Sequence, residues 1–184
     1  EAMTKPDTRV LVTGAQGFIG KNLVVRLSER PSVSVQNFVR ESDVSALPDL
    51  VAAADVIIHL AGENRPQDER AFKEVNTDLT VLLCNAVRNE NKMNGRMVPL
   101  VLASSTQAET NSAYGKSKLA AEAAVEALTA ETGNPTVVFR LPGIFGKWCK
   151  PHYNSVVATF CHNIARGLPI QISDPESCVR LTYV

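Results

Sequence analysis

The sequence has no excess of charge of either sign, because 19 lysines and arginines balance 19 aspartates and glutamates in 184 residues. A balanced chain offers no strong field for holding nucleic acid or an anionic membrane surface. The sequence also lacks an apolar run long enough to span a bilayer and a signal-peptide core ahead of its first strand. We therefore expect a cytoplasmic protein whose partner is a small molecule, not nucleic acid or a membrane.

The four cysteines are widely spaced and form no Cys-x-x-Cys pair. Neither a disulfide framework nor a metal site is predicted, and we expect reduced thiols. No repeat, low-complexity tract or flexible linker interrupts the chain. An apolar content of 45% in 184 residues is enough for one sizeable core, so we expect residues 1–184 to form one domain.

Short β-branched runs alternate with longer helical patterns. Strands are predicted over 10–13, 33–39, 55–60, 98–103 and 136–141, and helices over 20–30, 72–89, 112–131 and 154–166. This alternation predicts an α/β fold, a doubly wound, Rossmann-like parallel sheet with helices on both faces. The segment between Arg40 and Asp55 has room for one short helix. Residues 179–184 resemble a strand that has only begun, so we expect the native protein to continue.

A glycine-rich turn, TGAQGFIG at 13–20, directly follows the first predicted strand. Its glycines would let the backbone approach a pyrophosphate, while the next helix offers unpaired N–H groups and a positive dipole end. A purely structural turn is the alternative, but the position between strand and helix favours dinucleotide binding. The residues predicted to contact the cofactor here are Gly14, Gly17, Phe18, Ile19 and Gly20, with Gly20 letting the helix lie close to the strand.

The second predicted strand leads to Arg40, at the position where NAD-binding proteins usually place an acid that holds the ribose 2′-hydroxyl. Glu41 follows, but no acid stands at the expected position. A guanidinium can bind a 2′-phosphate through two hydrogen bonds, so Arg40 favours NADP over NAD. A solvated surface arginine is the alternative.

A tyrosine and a lysine four residues apart open the predicted helix 112–131. Tyr114 and Lys118 therefore share one face of that helix. A nearby ammonium lowers the pKa of a phenol, which suits the pair to donating a proton during carbonyl reduction. Ser105, at the end of the preceding strand, is placed to hydrogen-bond the carbonyl oxygen. Alone the tyrosine and lysine are a chance pattern, whereas beside the serine and the glycine turn they indicate catalysis.

This combination resembles the nucleotide-sugar branch of the extended short-chain dehydrogenase/reductase family. Further matches are VIIHLAG at 56–62, VNTDLT at 75–80 and RLPGIFG at 140–146. The resemblance implies that Ser105, Tyr114 and Lys118 are catalytic and that Lys118 also holds the nicotinamide ribose. It implies that Asn76 bends a helix, and we assign His59 to packing. The other cofactor contacts that it implies are Leu60, Ala61, Gly62, Leu141, Pro142 and Ile144.

The resemblance also bears on the reaction. Dehydratases of this family place Asp-Glu after the catalytic hydroxyl residue, whereas this chain has Thr106 and Gln107, which do not titrate near neutral pH. Segment 146–175 is similar to the N-terminal reductase domain of CapF-type enzymes of capsule and O-antigen synthesis. That similarity implies NADPH-dependent reduction of a UDP-4-keto-6-deoxy-amino-sugar, on the route to UDP-N-acetyl-L-fucosamine. The alternatives are an NAD-dependent UDP-sugar 4-epimerase and a non-catalytic NADP-binding module.

CapF-type enzymes add a metal-containing cupin domain, and no cupin sequence occurs within these 184 residues. In segment 146–175, a helix predicted to begin at Asn154 offers N–H groups to a substrate diphosphate, and Lys147 adds positive charge. A basic loop capped by Asn154 is the alternative. The predicted substrate-binding residues are Ser105, Thr106, Lys147, Tyr153 and Asn154. The family further implies a homodimer through helices 72–89 and 112–131.

Overall fold

The structure, a computed structural model, describes residues 8–184, and five strands form its main sheet in the order β2-β1-β3-β4-β5. The β1–β2, β1–β3 and β3–β4 pairs are parallel, with Val10 opposite both Val35 and Val56. The strands are β1 (Thr8–Thr13), β2 (Val33–Phe38), β3 (Val56–His59), β4 (Leu100–Ser105) and β5 (Thr136–Leu141). The predicted α/β fold with a parallel sheet is confirmed.

Four α-helices connect these strands, and helices cover both faces of the sheet. They are α1 (Phe18–Ser28), α2 (Leu47–Ala53), α3 (Leu79–Asn94) and α4 (Ala113–Thr132). Val10 and Val12 of β1 pack with residues of α1, whereas Leu11 between them belongs to a larger buried cluster with residues of α2, α3 and α4. This alternation follows from the period of two along a strand. Helix α2 fills the short interval before β3, as predicted.

The helix predicted over 72–89 consists of two parts. Its first turns, Phe72–Asp78, are a π-helix in which the backbone N–H of Leu79 donates to the carbonyl of Glu74, five residues earlier. Only from Leu79 does the α-helical register of α3 begin. Asn76 is buried at the middle of the π-helix, and its implied role in bending this helix stays a prediction.

Residues 8–184 divide into two compact units, one that ends at Arg140 and one that spans Leu141–Val184. The second unit contains β6 (Gly143–Phe145) and β7 (Leu181–Tyr183), which pair in parallel, and α5 (Val156–Ile164). The strand expected at 179–184 is therefore present. Helix α5 begins later than position 154, because Ser155 is its N-cap and accepts from Ala158 N at 3.2 Å. Capping by Asn154 is therefore wrong.

The cysteines agree with the expected reduced thiols. Cys84 is buried, which raises the pKa of its thiol to about 11, and all four are free. Within residues 8–184, no group of metal-binding side chains has the arrangement of an ion site. Over the same residues, no helix combines the length and the apolar character needed to cross a membrane.

Candidate active site

The glycine turn after β1 depends on close backbone contacts. Gly14 has φ +70°, and a Cβ there would lie 2.6 Å from the backbone nitrogen of Ala61. A Cβ on Gly20 would lie 2.2 Å from the carbonyl oxygen of Gly14. Gly20 therefore lets α1 lie close to the turn that directly follows β1. Gly17 caps α1 without a side-chain hydrogen bond, as expected for an anion-binding helix end.

Arg40, two residues beyond β2, forms an ion pair with an acid that the sequence pattern did not predict. Its Nη2 lies 2.8 Å from Oε2 of Glu63, which follows β3. The backbone N–H groups of Asn64 and Arg65 also donate to that carboxylate and help to lower its pKa, against the effect of burial. Because β1 lies between β2 and β3, this ion pair joins the loops on both sides of the glycine turn.

Ser105 and Tyr114 are brought together by a short 3₁₀ turn, Thr106–Glu109, that follows β4. Ser105 Oγ accepts from Gln107 N at 3.1 Å. A Cβ on Gly115 would lie 2.3 Å from the carbonyl oxygen of Gln107, so only glycine lets α4 begin this close to the turn. Burial raises the pKa of Tyr114 and outweighs a hydrogen bond with Ser105 that lowers it. The lowering expected from Lys118 is therefore not found in this structure.

Lys118 lies one helical turn after Tyr114 and is only 6% exposed. Its ammonium donates to the carbonyl oxygen of Ala103 in β4 at 3.1 Å. Burial lowers the pKa of Lys118 to about 8, although the negative charge of Glu122 opposes this shift. A lysine with this pKa changes its charge near physiological pH, which is uncommon outside functional sites.

Glu122 continues the Tyr-x-x-x-Lys spacing by a further four residues and is 4% exposed. Its carboxylate accepts from the Ser104 hydroxyl, and Arg140 Nη2 donates to it at 2.7 Å. Nη1 of Arg140 also reaches Glu109 at 2.6 Å. These contacts hold the pKa of Glu122 below its usual range, against the effect of burial. An ionised carboxylate is thereby kept near the buried lysine.

The remaining predicted residues separate into two groups. Thr106 begins the 3₁₀ turn, while Leu60, Ala61 and Gly62 follow β3 beside the glycine turn. The second group lies in the unit that starts at Leu141, and its roles stay predictions. These residues are Leu141, Pro142, Ile144, Lys147, Tyr153 and Asn154. The ammonium of Lys147 lies 4.6 Å from the centre of the Trp148 ring.

Several residues that support this site were not predicted from the sequence. The Phe72 ring lies 5.8 Å from the Tyr114 ring and is tilted by 57°. Glu122 carried a usable signal, because it stands at i+4 from Lys118 on a predicted helix. Phe72 and Glu63 carried none, since their partners come from other elements.

A glycine turn, a serine, a tyrosine and a buried lysine along one edge of a parallel sheet define a dinucleotide-binding protein of the short-chain dehydrogenase/reductase class. The chain matches the family described as "NAD dependent epimerase/dehydratase family" over residues 10–181, and it belongs to that family. The family resemblance inferred from the sequence is thereby confirmed.

Individual relatives sharpen this assignment. The chain is 51% identical over 176 residues to a Pseudomonas aeruginosa protein named "UDP-2-acetamido-2,6-beta-L-arabino-hexul-4-ose reductase", covering 96% of this chain and 46% of that protein. It is also similar to the crystal structure of the capsular polysaccharide assembling protein CapF from Staphylococcus aureus, with 34% identity, a TM-score of 0.75 and coverage of 95% and 45% of the two chains. The chain thus spans about half the length of these relatives.

A more distant likeness concerns the fold alone. A UDP-glucose 4-epimerase from Thermotoga maritima superposes with a TM-score of 0.80 at 20% identity, covering 95% of this chain and 69% of that one. The doubly wound architecture is therefore common to reductases and epimerases. The fold alone does not identify the reaction, which depends on the residues of the site.

Proposed function

We propose that this protein reduces the 4-keto group of a UDP-4-keto-6-deoxy-amino-sugar with NADPH, on a route to UDP-N-acetyl-L-fucosamine for capsule or O-antigen. The observation that carries the proposal is the meeting of Ser105, Tyr114 and the buried Lys118 beyond a glycine turn. The 51% identity to a reductase of this kind supports the choice of substrate.

The three residues have distinct roles in this reaction. NADPH, when bound, would supply the hydride that reduces the ketone carbon. The Tyr114 phenol is protonated at neutral pH, and burial raises its pKa further; it would donate its proton to the carbonyl oxygen. Ser105 would hydrogen-bond the same oxygen and orient it. Lys118 would hold the nicotinamide ribose, the role that the family resemblance implies for it.

The direct test follows the absorbance of NADPH while the protein is incubated with the UDP-4-keto-6-deoxy-amino-sugar. A reductase consumes one NADPH for each ketone reduced, whereas a UDP-sugar 4-epimerase shows no net consumption. A non-catalytic NADP-binding module would bind NADPH and leave both compounds unchanged. Either of these last two results would contradict the proposal.

NADP as the preferred cofactor is the second part of the proposal. The Arg40 side chain is 75% exposed and pairs with Glu63 through one nitrogen, and a guanidinium has five donors. The remaining donors would bind the 2′-phosphate while Glu63 holds the group in place. Replacing Arg40 by Ala should weaken NADPH binding about 10-fold or more and leave NADH binding within about twofold.

Glu63→Gln is the matched variant for this preference. It keeps a hydrogen-bond acceptor for Arg40 but removes a negative charge close to the expected phosphate, so NADPH should bind as well as before or better. Calorimetric titration with both cofactors measures these affinities. An equal loss of affinity for NADPH and NADH in Arg40→Ala would show that Arg40 does not bind the 2′-phosphate of NADPH.

A homodimer and a cytoplasmic location also belong to this proposal. Val81 and Leu82 on α3 and Leu119 on α4 are between 38% and 48% exposed, on the helices through which dimerisation is expected. Burial of such side chains against a second copy would be favourable. Light scattering after size-exclusion chromatography measures the oligomeric state, and a monomer would contradict this part. A route that begins from UDP-sugars favours the cytoplasm.

A further inference from the structure

A buried chain of hydrogen bonds connects the loop beside the glycine turn with the π-helix. The backbone N–H of Ala61 donates to Thr13 Oγ1 at 3.2 Å, and Thr13 Oγ1 lies 2.6 Å from His59 Nδ1. On the other side of the ring, His59 Nε2 lies 2.8 Å from Thr80 Oγ1. The Thr80 hydroxyl then donates to the carbonyl of Asn76 at 2.7 Å. Thr13, His59 and Thr80 are 0% exposed.

The directions of these hydrogen bonds follow from the partners. A carbonyl oxygen only accepts, so the proton of Thr80 is used on Asn76 and the Thr80 oxygen must accept from His59 Nε2. His59 therefore carries a proton on Nε2. The ring is neutral, because burial and the charge of Lys118 lower its pKa to about 3. Nδ1 is then an acceptor, and Thr13 donates to it.

A second chain begins two residues further along the same loop. The backbone N–H of Glu63 donates to Asn76 Oδ1 at 2.8 Å, and Asn76 Nδ2 donates to Ser117 Oγ at 2.9 Å. The Ser117 hydroxyl then donates to the carbonyl of Tyr114 at 2.7 Å. Gly62, between the two starting points, is closely packed, since a Cβ there would lie 3.0 Å from Lys118 Nζ and 3.1 Å from Asn76 Oδ1.

Both chains start at N–H groups of the 61–63 segment and end at a backbone carbonyl. The first ends at the carbonyl of Asn76 in the π-helix, and the second passes through the Asn76 side chain to Tyr114 in α4. Asn76 Nδ2 also donates to the carbonyl of Glu63 at 2.9 Å, which ties Asn76 to the 61–63 segment a second time. Hydrogen bonds aligned in this way polarise one another, and in a buried site an unmatched member is costly. His59 is the only member of the first chain that must be a single tautomer for every link to form.

We propose that His59 is a positioning residue for the reaction, held as the Nε2–H tautomer so that the 61–63 segment keeps one position relative to the π-helix, whose Asn76 in turn bonds the catalytic helix α4. This role goes beyond the packing expected from the sequence. Its consequence for turnover rests on the proposed reductase function, whereas the tautomer and the effect on NADPH binding do not.

Nitrogen NMR of the intact protein with isotopically labelled histidine tests the tautomer directly. The His59 signals are assigned from their loss in His59→Gln or, if that variant does not fold, from ring-to-backbone correlations. We expect a proton on Nε2 alone between about pH 8 and about pH 5. A proton on Nδ1, or on both nitrogens at neutral pH, would overturn the inference.

Thr80→Val and Thr80→Ser form a matched pair for the functional consequence. Valine keeps the shape of threonine but leaves His59 Nε2 and the Asn76 carbonyl without their shared partner, whereas serine keeps the hydroxyl. We expect Thr80→Val to lose about 10-fold in kcat/KM through both a lower kcat and a higher KM for NADPH, and Thr80→Ser to stay within about twofold.

One outcome would reduce His59 to structural support, and another would separate this inference from the proposed function. If Thr80→Val lowers the melting temperature but leaves kcat, KM and the Kd for NADPH of the folded protein unchanged, His59 only stabilises the fold and the inference is wrong. If the wild-type protein fails to reduce the ketone, the proposed function fails, but the NMR result and the Kd for NADPH in the two variants still decide the inference.

Discussion

The amino edge of the main sheet is held by half-buried charge pairs, whereas the carboxyl edge combines charge pairs with a network of neutral groups and one buried lysine. At the amino edge, Arg9 and Asp55 form two side-chain hydrogen bonds at 3.1 and 2.8 Å, and Arg96 pairs with Glu90 at 3.0 Å. Nη2 of Arg96 also donates to the carbonyl oxygen of Ala54, beyond the end of α2, at 2.5 Å. These charges are half-buried and compensated.

At the carboxyl edge, hydroxyl, imidazole and amide groups satisfy one another. The lysine there has a lowered pKa, and a phenol with a raised pKa lies one turn away. A lysine whose pKa lies near 8 can change its charge near physiological pH, whereas the paired charges of the amino edge keep theirs. The amino edge therefore contributes mainly stability, and the carboxyl edge is suited to chemistry.

Replacing Tyr114 by Phe should have the largest effect. Loss of the phenolic hydroxyl removes the proposed proton donor, so turnover should fall by about 1,000-fold. The ring keeps its contact with Phe72, so the melting temperature and the Kd for NADPH should change little. Steady-state kinetics and calorimetry measure the two effects, and residual turnover within about 10-fold of the wild type would remove Tyr114 from the mechanism.

Replacing Lys118 by Met should lower turnover about 100-fold and yet stabilise the protein near neutral pH. Folding lowers the pKa of Lys118 from 10.5 to about 8. The unfolded chain therefore binds more protons between these values, so the lysine costs about 3 kcal/mol of stability below about pH 8 and less as the pH rises toward 10.5.

The measurement is the free energy of unfolding of both proteins by urea titration, near pH 7 and near pH 10. The advantage of Lys118→Met should shrink at the higher pH. An equal difference at both values would mean that the pKa of Lys118 is not lowered by folding. Lys118→Arg is the control, because it keeps a charge that does not titrate in this range.

Most of the fold could be predicted from the sequence, because the strands carry a strong local signal. The strand 136–141 was predicted with its observed ends, and 33–39 differs from β2 by one residue. Local sequence patterns did not predict the backbone conformation where contacts with residues distant in the sequence determine it. The π-helix around Asn76 is an example, since Asn76 bonds Glu63 and Ser117, which are 13 and 41 residues away in the sequence.

The candidate site was predicted as residue types, but its electrostatics were not. Tyr114, Lys118 and Ser105 were found from spacing, whereas the sign of the Tyr114 pKa shift depends on burial, which a sequence does not give. His59 was assigned to packing, and it is indeed buried. Its two hydrogen-bond partners, Thr13 and Thr80, are 46 and 21 residues away, so no local motif identified them.

Replacing Arg96 by Met tests the amino edge. This change should destabilise the protein, whereas Lys118→Met should stabilise it near neutral pH. The variant loses donors to the carbonyl oxygens of Ala52 and Ala54 and leaves Glu90 without its cation. Loss of these charge-assisted bonds should cost about 2 kcal/mol of stability, while turnover stays within about twofold. Urea titration and steady-state kinetics check both. The free energy of unfolding of Arg96→Lys should lie between those of the wild type and Arg96→Met, because lysine keeps the charge but not the several donors of the guanidinium.

The smallest effect is expected for Asp55→Asn. Arg9 donates to the Asp55 carboxylate and lowers its pKa to about 2. For an acid whose pKa folding lowers, the stabilisation is complete above its ordinary value of 3.8 and is lost as the pH falls toward about 2. Since both side chains are more than a third exposed, solvent screening limits the loss near pH 7 to about 1 kcal/mol or less.

The difference between the two proteins should therefore nearly vanish as the pH falls from about 5 to about 2, where the wild-type carboxylate becomes neutral. Thermal unfolding of both proteins at several pH values measures it. The asparagine keeps an acceptor for Arg9, which isolates the charge from the hydrogen bond. If the difference instead grew at low pH, the Arg9–Asp55 pair would not be a source of stability, and the amino edge would depend on Arg96 and its carbonyl partners alone.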